Sequence, residues 1–164
     1  MKAITILQPY AELIALELKH YETRSWPTNY KGKIAIHAGK ELYPITPEIK
    51  QAVEASVFYS GPFHPTYIED WTRGAVIAIA DLVDCLKIDT ADTYQGNMIL
   101  LYNSKGLLIS QFYSSDNEIT FGNYSKGRYA WKLENIQMLK APIPAKGRQG
   151  LWNWDDAAAK SEES

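Results

Sequence analysis

An α+β domain with a small mixed or closed sheet is the fold class this sequence predicts. Three observations lead there. Several short segments alternate apolar and polar residues with the period of two that marks a strand. Two other stretches carry helix signals. The two kinds of segment do not follow a strict strand–helix–strand order, which argues against a doubly wound sheet.

Residues 2–7, KAITIL, read as a short strand with β-branched residues. Pro9 opens a helix, a favoured place for proline. There Tyr10, Leu13, Ile14 and Leu18 recur at helical spacing, and Ala11, Ala15 and Leu16 leave little polar surface. Residues 20–26, HYETRSW, alternate so that His20, Glu22, Arg24 and Trp26 share one strand face. A turn bracketed by Pro27 and Gly32 leads to KIAIHA at 33–38, a second alternating strand. Thr46 as N-cap, Pro47 at the first position and Glu48 in the first turn start a helix over 46–57. Residues 58–73, with Gly61, Pro62 and Pro65, read as loop. The nearly continuous apolar run AVIAIADLV at 75–83 suits a strand covered on both faces. MILLY at 98–102 and LLISQFY at 107–113 flank the turn Asn103-Ser104-Lys105-Gly106, a hairpin pattern. RYAWKLENIQML at 128–139 alternates again, with Tyr129, Trp131 and Leu133 facing one way. Pro142 and Pro144 are expected to begin an irregular segment that ends in GLWNW.

Length and composition fit one domain over residues 1–154, followed by a polar tail, 155–164, expected to be disordered. The single cysteine, Cys85, excludes a disulfide framework and a cysteine-based zinc site. His20, His37 and His64 have no metal-ligand spacing, so neither a metal nor another cofactor is expected. No segment approaches the roughly 20 apolar residues of a membrane span, and no signal peptide is visible, so a cytoplasmic location without membrane contact is the expectation. The net charge of −2 is unevenly distributed. Residues 1–40 carry six Lys and Arg against three acidic residues, and residues 124–150 carry six against one. Two basic segments flank an acidic middle. Brought onto one face, they suit a local anionic ligand better than long duplex DNA.

The densest chemical constellation is Lys19-His20-Tyr21-Glu22-Thr23-Arg24-Ser25-Trp26. A lysine, a carboxylate and a guanidinium close together have three uses. They pair as ions. They bind a phosphate or a base edge, because arginine offers a two-pronged donor and glutamate accepts from an exocyclic amine. They also do acid–base work, with Lys19 depressed in pKa by burial and by Arg24. Trp26, Tyr129, Trp131, Trp152 and Trp154 are candidates either for base stacking or for the core. Lys146-Gly147-Arg148-Gln149-Gly150 is a basic glycine-bearing loop without the spacing of a P-loop.

These segments together resemble the ASCH (activating signal cointegrator homology) family. MKAITILQPYAELIALELKHYETRSW resembles its start, and Lys19, Glu22 and Arg24 match its Gly-x-Lys-x-x-Glu-x-Arg signature, with Glu17 in the glycine position. GKIAIHAGK at 32–40, GAVIAIADLVDC at 74–85, GNYSKGRYAWKLENI at 122–136 and PIPAKGRQGLWNW at 142–154 resemble one branch of that family. The resemblance implies a PUA-like β-barrel with surrounding helices and a cleft lined by the signature. It implies a module that binds RNA or a nucleoside or nucleotide through Lys19, Glu22 and Arg24, supported by Trp26, Arg128 and Lys146. Some members are amidohydrolases acting on acetylated cytidine, and a few are ribonucleases. An enzyme of either kind would use Lys19, Glu22 and Arg24 catalytically. The amidohydrolase pattern transfers in part, because Glu22 stands where that pattern has its threonine nucleophile. Its acidic partner has no clear counterpart, and Glu69, Asp70, Asp81 and Asp84 are the candidates. A protein-interaction domain with a vestigial cleft is the third reading.

Overall fold

The computed structural model describes residues 1–58, 67–155, 157 and 159. It holds eight strands and three α-helices among these residues, which bears out the α+β class. The chain divides into two compact units. The first comprises residues 1–18, 33–81 and 135–164, and the second residues 19–32 and 82–134. His64 and most of the tail lie outside the described residues.

In the first unit, β1 (Lys2–Gln8) runs parallel to β3 (Gly32–Leu42), with Ile4 opposite Ile36 and Thr5 opposite His37. On its other edge β1 pairs antiparallel with β8 (Leu151–Asn153). The irregular segment expected after Pro142 is thus partly a strand. Alanine, isoleucine and histidine on both faces of β3 are buried between Ile34 and Ala38, so that strand is covered on both sides. β4 (Ala75–Thr93) begins as the continuous apolar run foreseen, with Val76, Ala78 and Ala80 fully buried. The core here gathers Ala3, Ala35, Val76, Ile79, Trp152, Trp154 and Ala159. Both C-terminal tryptophans are therefore core residues, and the Trp152 indole donates to Thr5 Oγ1 at 3.2 Å.

Two helices belong to this unit. α1 (Tyr10–Ala15) is buried along most of its length, as its apolar pattern predicts. α2 (Pro47–Phe58) starts at the expected cap, where Thr46 Oγ1 accepts from the Ile49 N–H at 3.3 Å. α1 ends in a Schellman turn: the Glu17 N–H donates to Ile14 O at 2.9 Å and the Leu18 N–H to Leu13 O at 2.8 Å. That turn puts Glu17 at φ 58°, in the left-handed region. A glycine would adopt this conformation without steric cost.

In the second unit, β2 (Tyr21–Arg24) pairs antiparallel with β7 (Tyr129–Pro144), placing Glu22 opposite Trp131 and Arg24 opposite Tyr129. β7 continues through both prolines, against the expected break. The later half of β4 pairs with β5 (Gly96–Tyr102), and β5 with β6 (Leu108–Tyr113). The hairpin turn is as foreseen. Asn103 Oδ1 accepts from the Lys105 and Leu107 N–H groups, each at 3.0 Å. Gly106 supplies the positive φ, 76°. Tyr21, Leu86, Ile88, Ile99, Leu101, Tyr124 and Ala130 form this unit's core. A single helical turn, α3 (Asn117–Thr120), was not anticipated. Within each unit the ladders trace an open path among the described residues.

Substituting Glu17→Gly should raise stability by about 0.5–1 kcal/mol, because a left-handed L-residue costs about 1–2 kcal/mol and glycine's greater freedom in the unfolded chain offsets part of that. A urea titration reads this as a higher midpoint at an unchanged slope. A lower midpoint would show that the Glu17 side chain stabilises more than its backbone strain costs.

Candidate functional site

Lys19 follows the Schellman turn in the chain, and its side chain is only 1% exposed. A buried ammonium requires counter-charge. It finds Glu118, with Nζ 3.6 Å from Oε1, and it lies 5.7 Å from the centroid of the Tyr124 ring, within cation–π range. Burial pushes the Lys19 amine below its usual range, although Glu118 and Glu22 both pull it upward. The depression by burial foreseen in the sequence is present, and Arg24, the other cause foreseen, is not among those acting on Lys19. Nζ has no hydrogen-bond acceptor among the described residues.

Glu118 is the acidic residue beside Lys19, and sequence reasoning did not single it out. The carboxylates whose charges act on Lys19 are Glu118 and Glu22, not the four candidates. Glu69 is exposed and bonded to Lys50 in the first unit. Asp70 is also in the first unit, as is Asp81, which is tied to Lys33 and Asn135. Asp84 pairs with Lys31 at 2.8 Å. Glu118 instead rises from α3, whose sequence, NEIT, is too short to announce itself by periodicity. Its carboxylate accepts from the His20 N–H at 2.8 Å, the Tyr21 N–H at 3.3 Å and the Tyr124 hydroxyl at 2.8 Å. The Tyr124 hydroxyl is held well above its ordinary pKa, chiefly by burial and then by the negative charge of Glu118. Gly122 fits this cluster because it has no side chain. A Cβ there would meet Tyr124 Cε2 at 2.7 Å and Lys19 Nζ at 3.1 Å.

Glu22 and Arg24 occupy one face of β2, as their spacing predicts, with Arg24 Nε 2.9 Å from Glu22 Oε1. Glu22 is buried and Arg24 half-buried. Trp26 lies beyond the end of β2, half-buried and edge-on to Trp131, with ring centroids 4.7 Å apart at 87°. Trp131, opposite Glu22 in the ladder, is fully buried, and its indole nitrogen has no acceptor among the described residues. Thr23 points to the other face, where its Oγ1 accepts from the Asn123 N–H at 3.1 Å. Arg128 donates from Nε to the Asn123 carbonyl at 3.1 Å and from Nη2 to the Thr23 carbonyl at 3.5 Å. Its guanidinium thus braces the 123–128 loop against β2. Lys146 belongs to the first unit, exposed on a loop whose Gly147 abuts His37. His37 is 1% exposed there, and its Nε2 donates to the Ala145 carbonyl at 3.0 Å. No group of three or more His, Cys, Asp or Glu able to hold a metal occurs among the described residues. No helix among them is long and apolar enough to cross a membrane.

Removing the Glu118 carboxylate strands two backbone N–H groups, a tyrosine hydroxyl and a buried ammonium. Glu118→Ala should therefore cost about 3 kcal/mol of stability. Glu118→Gln keeps an accepting oxygen and should cost less. Chemical denaturation of the two variants checks this, and an alanine variant within about 0.5 kcal/mol of wild type would remove Glu118 from its central role.

A family model described as the ASCH domain matches residues 4–143. No curated protein matches the chain. Among solved structures, the crystal structure of a mutant of the ZmASCH protein from Zymomonas mobilis is similar. The two chains are 17% identical, the match covers 99% of this chain and 96% of that one, and the TM-score is 0.45. With its family model spanning most of the sequence, the chain belongs to the ASCH domain family.

Proposed function

We propose that this chain is an RNA- or nucleotide-binding module whose recognition groups are Lys19, Glu22, Arg24 and Trp26, with Arg128 positioning the loop beside them. The observation that carries this reading is the Glu22–Arg24 pair. It sets a carboxylate acceptor and a guanidinium donor side by side on one strand face. A nucleobase edge presents the complementary arrangement of donor and acceptor. Two buried donors near Glu22 point the same way. Lys19 Nζ and Trp131 Nε1 lack protein acceptors among the described residues. Buried donors are seldom left unsatisfied, and a ligand carbonyl or phosphate oxygen would complete both. A PUA-like barrel carrying helices on its outside is the fold we read behind the site, with residues 1–154 acting as one domain.

A second reading has one specific observation in its favour. Lys19 is buried, lowered in pKa and close to Glu118, which is the environment of an acid–base lysine. A hydrolase of a modified nucleoside, or a ribonuclease, would use that amine with Glu22, and Arg24 would stabilise developing negative charge. The threonine route is disfavoured. Glu22 holds the nucleophile position, and the Thr23 hydroxyl on the opposite face already serves the Asn123 N–H.

Fluorescence anisotropy with a short single-stranded oligoribonucleotide separates the two readings when paired with hydrolysis assays on acetylated cytidine. Wild type should bind the RNA with a log–log salt slope of about −2 to −3, as expected for three or four phosphate contacts. Arg24→Ala should weaken binding at least about tenfold, the loss of a charge-assisted contact. Turnover by wild type that Lys19→Ala and Glu22→Gln each cut by more than about a hundredfold would replace the binding reading with the hydrolase.

A further inference from the structure

The second unit contains a cleft of about 490 Å³ that none of the signature residues lines. Its walls include Pro27, Lys31, Lys87, Tyr102 and Tyr129. The volume lies within the range of small-ligand sites and is large enough for one nucleotide. The ladders explain why these side chains converge. Tyr102 lies opposite Lys87 across the β4–β5 pair, so both project from the same face. Tyr129 lies opposite Arg24 across the β2–β7 pair, so it shares a face with the signature arginine. The Pro27 wall begins one residue after Trp26. It is held in place by the Thr28 N–H, which donates to Cys85 Sγ at 3.4 Å.

The charges in the cleft are mostly spent on one another. Lys31 pairs with Asp84 at 2.8 Å, and Asp89 pairs with Lys126 at 2.9 Å. Lys87 is exposed and acts on the Asp89 carboxylate more weakly than Lys126 does. The cleft therefore offers two aromatic rings, one exposed cation and little net charge. That combination suits a planar base carrying a single phosphate, since any base can stack on a tyrosine and the cation meets the backbone.

From the Arg24–Tyr129 register and this lining, we infer that the cleft is a subsite for the nucleotide flanking the one read by Glu22 and Arg24. The ligand is then a single-stranded RNA of at least two nucleotides. This rests on the RNA-binding reading above. Tyr102 and Tyr129 hold the flanking base, and Lys87 meets its phosphate. Lys31 is fixed by Asp84 as part of the wall.

The test compares an oligouridylate octamer with uridine monophosphate, on wild type, Tyr102→Ala, Tyr102→Phe and Lys87→Gln. Tyr102→Ala should weaken octamer binding by about five- to a hundredfold, the range for one lost base–aromatic stack, while leaving the mononucleotide affinity unchanged. Tyr102→Phe keeps the ring and should bind the octamer as wild type does. Lys87→Gln, at an exposed position that leaves folding intact, should reduce the octamer's salt slope by about 0.7. Wild type that binds both probes with no octamer loss in Tyr102→Ala or Lys87→Gln would overturn the subsite while sparing the RNA reading. Equal losses for octamer and mononucleotide would also overturn it, by making the cleft the primary nucleotide site. Wild type that binds neither probe would remove the RNA reading, and the subsite with it.

Discussion

One carboxylate organises the second unit. Glu118 accepts two consecutive backbone N–H groups, His20 and Tyr21, at the point where the chain enters β2. It also accepts the Tyr124 hydroxyl and faces the Lys19 ammonium. Backbone donors fix the strand's start, the tyrosine fixes the following loop, and the lysine needs the negative charge to remain buried. The Tyr124 hydroxyl and the Lys19 amine would otherwise be unsatisfied polar groups away from water, which is costly. The β2 face that carries Glu22 and Arg24 therefore inherits its placement from a residue about a hundred positions away in sequence.

This dependence explains which parts of the molecule could be read from the chain alone. Most strands, both longer helices, the Thr46 cap and the Asn103–Gly106 turn follow from local rules, and each was legible. The alternation in HYETR correctly placed Glu22 and Arg24 on one face. Other features depend on partners distant in sequence. β4 runs on to Thr93 because its second half pairs with β5, although DTADT there is polar and weakly β-forming. β7 passes through Pro142 and Pro144, and β8 exists because it pairs with β1. Tertiary pairing overrides the local signal in each case. Glu118 was invisible for the same reason, since four helical residues carry no period.

Glu17 and Gly122 show two kinds of backbone constraint. The backbone at Glu17 adopts the left-handed conformation that a glycine would serve. Strain of this size is tolerable when the flanking hydrogen bonds over-determine the turn, as the two Schellman bonds do. Gly122 is the opposite case. Its constraint is the volume beside Tyr124 and Lys19, and a methyl group there would displace the tyrosine ring or the buried amine.

The position of Glu22 bears on whether the site binds or reacts. A general base needs a lone pair aimed at the proton it removes. Glu22 Oε1 is committed to Arg24 Nε at 2.9 Å, so any base work falls to its second oxygen. The same commitment helps recognition. A carboxylate oriented by its neighbouring guanidinium loses little freedom on meeting a ligand, and preorganised polar groups discriminate strongly against ligands that leave them unpaired. The Lys19 amine is buried and has no hydrogen-bond acceptor among the described residues. It is shielded from bulk water but within the electrostatic reach of Glu22. In the binding reading, that amine contributes most to a ligand oxygen that comes within hydrogen-bond reach of Nζ. A ligand without such an oxygen would gain the base-edge contacts and leave Lys19 as it stands.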